Sequence, residues 1–104
     1  MLKKRFLKSG QVKVEFTLPD AVAAEAESAF LVGDFNDWNK QATPMKKYKN
    51  GKFKVALTLE PNRTYAFRYL VNGAQWHNDW DADHYVANPF SGDNSVVDTT
   101  PNHA

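Results

Sequence analysis

The chain contains no cysteine. Disulfide cross-links, thiolate metal sites and cysteine nucleophiles are therefore excluded, and a cytosolic (cytoplasmic) origin is compatible with the composition. Long apolar runs are also missing: none approaches the roughly 20 residues that a membrane helix needs. The opening Met1-Leu2-Lys3-Lys4-Arg5-Phe6-Leu7-Lys8 has the charge of a signal peptide's start. It lacks the apolar stretch of about 7–15 residues that has to follow. Residues 1–10 are read as a solvated basic lead-in to the first strand, with contact to a membrane or polyanion as the alternative. Glycine is sparse, 5 in 104 residues, and no glycine-rich phosphate loop is present. Excess charge of either sign is absent as well. Lys and Arg number 13 against 12 Asp and Glu, for a net +1. That balance argues against general affinity for nucleic acid or membranes.

What is present fits one folded domain with one core: 104 residues, 42% hydrophobic and 24% charged. The dominant hydrophobic period is two. Val12, Val14, Phe16 and Leu18 alternate with Lys13, Glu15 and Thr17, which places four apolar side chains on one face of a strand. Phe53, Val55, Leu57 and Leu59 repeat the pattern, as do Tyr65, Phe67, Tyr69 and Val71. Shorter strands are expected at Ala29–Val32, Met45–Tyr48, Gln75–His77 and Ser95–Asp98. Asn50-Gly51 and Asn72-Gly73 each match a two-residue hairpin turn. Asp20–Ala29, rich in Ala and Glu, is read as an irregular loop, with a helical turn as the alternative. Short strands with frequent turns indicate an all-β sandwich or barrel over residues 11–98. Residues 99–104 read as a frayed tail.

The sequence offers little for catalysis. His77 and His84 stand seven apart and do not form a helical zinc motif, and His103 lies in the tail. Asp79-Trp80-Asp81-Ala82-Asp83 alternates carboxylates like the start of a calcium loop. That loop needs glycine at its sixth position and glutamate at its twelfth, where this chain has His84 and Phe90. A looser calcium site is the minor alternative. Two carboxylates also serve glycoside hydrolysis, but a domain this small gives little depth for raising a carboxyl's pKa. The segment is read as a solvated loop that orients its neighbours. No catalytic residue, metal or cofactor is expected.

The three tryptophans, Trp38, Trp76 and Trp80, fall in or beside polar turns. A tryptophan there presents a flat apolar face and an indole donor. Sugars have flat C–H faces bordered by hydroxyls, so a ring to stack on, with amides and a cation at its rim, is what sugar binding requires. The competing reading is that these rings cap the open ends of the sandwich, and it applies most to Trp80.

Phe30-Leu31-Val32-Gly33-Asp34-Phe35-Asn36-Asp37-Trp38 resembles the signature of the family-48 carbohydrate-binding modules. These include the isoamylase N-terminal early-set domain and the glycogen-binding domain of the AMP-activated kinase β subunit. The resemblance continues through Thr43-Pro44-Met45, the run Tyr65–Gly73, Gln75-Trp76, and Asn88-Pro89-Phe90-Ser91-Gly92-Asp93-Asn94-Ser95-Val96-Val97. It implies an immunoglobulin-like β-sandwich that accompanies glycoside hydrolase family 13 enzymes without being catalytic itself. The implied ligand is an α-glucan: glycogen, starch or maltooligosaccharide. Trp76 and Trp38 are the implied platforms, and Arg68 and Asn94 the polar contacts, with arginine standing where the family has lysine. Phe90 replaces a leucine that projects between sugar rings, and Gly92 lacks the family's threonine. The alternative is a protein-interaction or regulatory module without sugar binding of its own. Its partner would be a glucan-processing enzyme or a kinase, met through a sheet edge or the Trp80 loop.

Overall fold

A computed structural model describes residues 2–88 and 92–101. The period-two segments become strands whose apolar faces close on each other. In chain order the elements are β1 (Leu2–Phe6), β2 (Val12–Thr17), a single helical turn α1 (Asp20–Ala23), β3 (Ala29–Gly33), a 3-10 turn (Asp34–Asn36), β4 (Lys46–Lys47), β5 (Phe53–Leu59), β6 (Thr64–Val71), β7 (Gln75–His77), β8 (His84–Ala87) and β9 (Asp93–Asp98). They form two antiparallel sheets. One has the order β1-β2-β5-β4, the other β3-β6-β9-β8, with β7 also pairing β6. This is the expected all-β, immunoglobulin-like sandwich.

Alternation decides which face is inside. Val12, Val14 and Phe16 of β2 and Phe67, Tyr69 and Val71 of β6 are buried. Their in-between neighbours Lys13, Arg68 and the like point outward. The core is aromatic: the Phe16 ring meets Phe67 edge-on at 5.1 Å, and Phe67 meets Tyr69 at 5.6 Å. Packing of this kind replaces the cross-links that the composition excludes.

Several expectations need correction. The lead-in is not simply solvated: Leu2–Phe6 pairs in register with Val12–Phe16 as an edge strand. Its inward middle position is Lys4 rather than an apolar residue, which interrupts the period-two signal. Lys4 reaches Asp83 across the sandwich at 2.6 Å. β8 was also unforeseen, because as an edge strand it is exposed along its whole length and has no apolar face to advertise. Thr99 is fully buried rather than frayed. Its hydroxyl donates to the Glu60 carbonyl at 2.7 Å, and its N–H to that of Arg63 at 2.8 Å. Residues 20–23 form the helical turn that was the lesser reading.

Both Asn-Gly turns occur, but each closes a three-residue connection. Tyr48 and Lys52 face each other across 49–51, and only Gly51 of the Asn-Gly pair takes positive φ, +86°. Val71 pairs with Gln75 across 72–74, with Asn72 at +53° and Gly73 at +71°. The Asn72 side chain has a further task. Its Oδ1 accepts the N–H groups of Glu27 and Ser28, at 2.7 and 3.2 Å, and ties the 20s loop to this hairpin.

Candidate functional site

The segment Gly33–Trp38 builds one wall of an open groove on the outer face of the second sheet. Each of its residues has a separate task. Gly33 ends β3 opposite Phe67. The Asp34 carboxylate then acts as a clamp: Oδ1 accepts the Trp38 indole N–H at 2.8 Å, and Oδ2 accepts the Ala66 N–H of β6, also at 2.8 Å. Phe35 turns inward against Phe16 and Tyr65, with ring centroids 5.6 and 6.0 Å away. Asn36 locks the turn. It accepts from Gly33 N–H and donates to the Leu31 carbonyl and Thr43 Oγ1, all within 3.1 Å. Asp37 and Trp38 both take left-handed backbone, near +56° in φ, which lets the Trp38 N–H return to the Gly33 carbonyl at 2.9 Å. The Trp38 indole donor is therefore committed to Asp34. What Trp38 offers is its ring.

The opposite wall is Trp76 on β7. It pairs with Leu70 of β6, which in turn pairs with Phe30 of β3. Phe30, Leu70 and Trp76 thus form one row of apolar residues across the outer face. Trp76 is nonetheless 40% exposed, and the Lys40 ammonium lies 5.8 Å from its ring centroid. Between the two tryptophans lies a groove of about 630 Å³, lined by Asp34, Trp38, Lys40, Ala66, Trp76, Asn88 and Asn94. Asn94 Oδ1 accepts from Asn88 Nδ2 at 3.1 Å. Two flat rings, amides at the rim and one ammonium share one concave surface.

The structure thus brings Trp38, Trp76 and Asn94 together. Arg68 does not line the groove: its Nε and Nη2 donate to the Asp93 carbonyl at 3.1 and 2.7 Å. It pins the start of β9 beside Asn94. Phe90 lies outside the described residues. Lys40, Asp34 and Asn88 are groove residues that the sequence reading passed over as ligand contacts. Asp34 and Asn88 stand inside the quoted motifs, but nothing in the sequence marks Lys40 as facing Trp76.

The acidic loop is solvated at Trp80, Asp81 and Asp83 but not at Asp79. Asp79 is only 1% exposed. Its Oδ2 accepts the Tyr69 hydroxyl at 2.6 Å, its Oδ1 the Asp81 N–H at 2.8 Å, and its own N–H donates to Ser95 Oγ at 2.8 Å. The carboxylate is a structural anchor placed inside the sandwich by the turn after β7. Trp80, beside it, is 67% exposed and borders a shallow cleft with Leu18, Pro19 and Lys52. Among the described residues no group of three or more His, Cys, Asp or Glu gathers to hold a metal ion.

Burial, reinforced by the negative charge of Asp79, raises the Tyr69 hydroxyl well above its ordinary pKa. The folded chain keeps this proton when the unfolded chain has lost it. Stability from this group is therefore intact below about pH 10 and declines as pH rises beyond it. In an alkaline titration Tyr69 is expected to ionise only together with unfolding. Absorbance at the phenolate band, followed alongside circular dichroism, checks this. A tyrosinate signal equal to all four tyrosines before any loss of structure would contradict it.

A β-sandwich with an aromatic, amide-rimmed groove on the outer face of one sheet has the build of a carbohydrate-binding module. The family model for carbohydrate-binding module 48 (isoamylase N-terminal domain) matches residues 10–91, and the chain belongs to that family. Curated relatives include the 1,4-alpha-glucan-branching enzymes of horse (Equus caballus) and cat (Felis catus). They are 45% and 43% identical over 42 residues, 40% of this chain. The chain spans about 6% of the length of those enzymes.

Proposed function

We propose that this domain is a non-catalytic module that binds α-glucan chains, with the sugar stacked on Trp76 and Trp38. The observation that carries this reading is the placement of two tryptophans, from separate strands and loops, on one open groove with Asn94, Asn88 and Lys40. An open groove suits a chain that enters and leaves laterally, and aromatic rings suit the C–H faces of glucose units. Asn94 serves the polar rim in this reading, and Arg68 acts through it by fixing the β9 start on which Asn94 sits. The branching enzymes among the relatives act on α-1,4-glucan by name, which supports the choice of ligand class. The expected result of titrating the protein with maltoheptaose or β-cyclodextrin is saturable change at Trp38 and Trp76 in the millimolar range or below. Resonances at both rings that stay fixed through such a titration would remove the proposal.

A regulatory, partner-binding role is the second reading, favoured by one observation. Trp80 is the most exposed of the large hydrophobic side chains among the described residues, at 67%, next to Asp79, which is bonded to Tyr69 and Ser95. A glucan-processing enzyme or kinase docking there would protect Trp80 and leave the groove unoccupied. Co-purification of such a partner, without glucan binding, separates the two readings.

A further inference from the structure

The near-zero net charge conceals a strong separation. The strands of the first sheet and their hairpin turns, residues 2–17 and 46–59, hold ten of the 13 basic residues and a single acid, Glu15. The remainder holds three basic residues and 11 of the 12 acids. One sheet therefore carries +9 and the rest of the molecule −8.

Register places much of this charge on the outer face. Lys3 and Arg5 of β1, Lys13 of β2, Lys54 of β5 and Lys46 of β4 all point away from the core. Arg5 stands directly opposite Lys13, and Lys46 directly opposite Lys54. Like charges directly across a sheet are destabilising. Lysine on an edge strand is a common guard against aggregation, but β2 and β5 are the two central strands of this sheet. Edge protection does not account for Lys13 or Lys54. Glu15, the one acid on this face, is met by Lys54 at 3.6 Å.

We propose that this face is a docking surface for an anionic lipid bilayer. Three strands of five to seven residues and the two-residue β4, about 4.8 Å apart, give a face of roughly 15 by 20 Å at most, and several basic residues on such an area are what an acidic leaflet attracts. Shape selects the bilayer over nucleic acid. Single strands are held by aromatic stacking, whereas the exposed ring beside this face, Tyr48, is overlain by Lys46 and Lys54 at 5.4 and 5.9 Å from its centroid. A duplex on such a face would be held through its phosphates along one ridge, whereas a leaflet presents anionic charge over the whole face. Lysine, a compact hydrated point charge, suits a diffuse anionic plane rather than one bidentate partner. The groove of Trp38 and Trp76 lies on the other sheet, so a molecule docked in this way holds that groove away from the bilayer. The inference stands independently of what the groove binds.

Flotation of the intact chain with vesicles tests it. Binding is expected to phosphatidylcholine vesicles containing phosphatidylserine, with none to phosphatidylcholine alone. It should be lost when salt is raised to roughly 0.5 M, where the screening length falls to a few ångströms. Lys13→Glu combined with Lys54→Glu is expected to weaken binding about tenfold or more. Arg63→Glu, an equal type of charge change outside this sheet, should have far less effect. If the double variant fails to fold, Lys3→Glu with Arg5→Glu on the edge strand reports on the same face. The proposal is overturned by absence of vesicle binding at low salt, by equal losses from Arg63→Glu and Lys13→Glu, or by retention on RNA or an acidic polypeptide without retention on vesicles.

Discussion

Trp76→Ala is expected to lower affinity for maltoheptaose by roughly 30-fold, a loss of about 2 kcal/mol. The reason lies in how the ring is held. Trp76 sits on a three-residue strand whose other side chains contribute little surface to the groove. Strand pairing places it level with Leu70 of β6, on the outer face of the sheet. Truncation removes a platform and also the partner of the Lys40 ammonium, 5.8 Å from the ring. Because the ring is 40% exposed in the free protein, its loss should cost much less in stability than in binding. Calorimetric titration and a thermal melt of the same variant separate the two effects. Affinity within threefold of the parent would show that the groove does not hold the sugar through Trp76.

Gly33→Ala is expected to cost about 3 kcal/mol of stability, or roughly 15 °C in melting temperature. The cause is not dihedral strain, since φ is −175° and open to any residue. A Cβ at this position would lie 2.5 Å from the Ala66 carbonyl oxygen, 2.8 Å from Phe67 Cβ and 2.9 Å from the Phe35 ring. Two of these atoms belong to the backbone or Cβ of a central strand and cannot rotate aside. β3 would have to withdraw from β6, and the turn that carries Trp38 would move with it, because Gly33 donates to Asn36 and accepts from Trp38. Glucan affinity should therefore fall alongside stability. A melt unchanged within a few degrees would mean that the sheet yields more easily than a packed interior normally does.

These two residues show how far the sequence could be read. Trp76 was legible as a surface residue because it stands between polar neighbours in a short hairpin strand. Gly33 was legible only as part of a motif. That its hydrogen occupies the contact point between two strands and the Phe35 ring follows from the fold. Asp79 was misread for a related reason. Its neighbours Asp81 and Asp83 are polar, and composition cannot reveal that one carboxylate of an alternating series turns inward to meet Tyr69. Lys40 and Trp76 are 36 positions apart, and no local pattern pairs them.

The sequence pattern by itself determined an all-β domain, sandwich or barrel, and the fold decided for two sheets. Alternation of apolar and polar residues is a local property, and a strand with one buried face can satisfy it in only one way. It also marked Trp38 and Trp76, since a large ring among polar residues needs a reason to be there. The tertiary structure alone decided that those rings share a groove, that Arg68 is spent on the Asp93 carbonyl, and that the indole N–H of Trp38 belongs to Asp34. It decided, too, that a chain of net charge +1 gathers ten of its 13 basic residues on one sheet and its turns. Net charge is a sum over the chain, whereas a surface is built by strand order and register, which bring residues from distant segments onto one face.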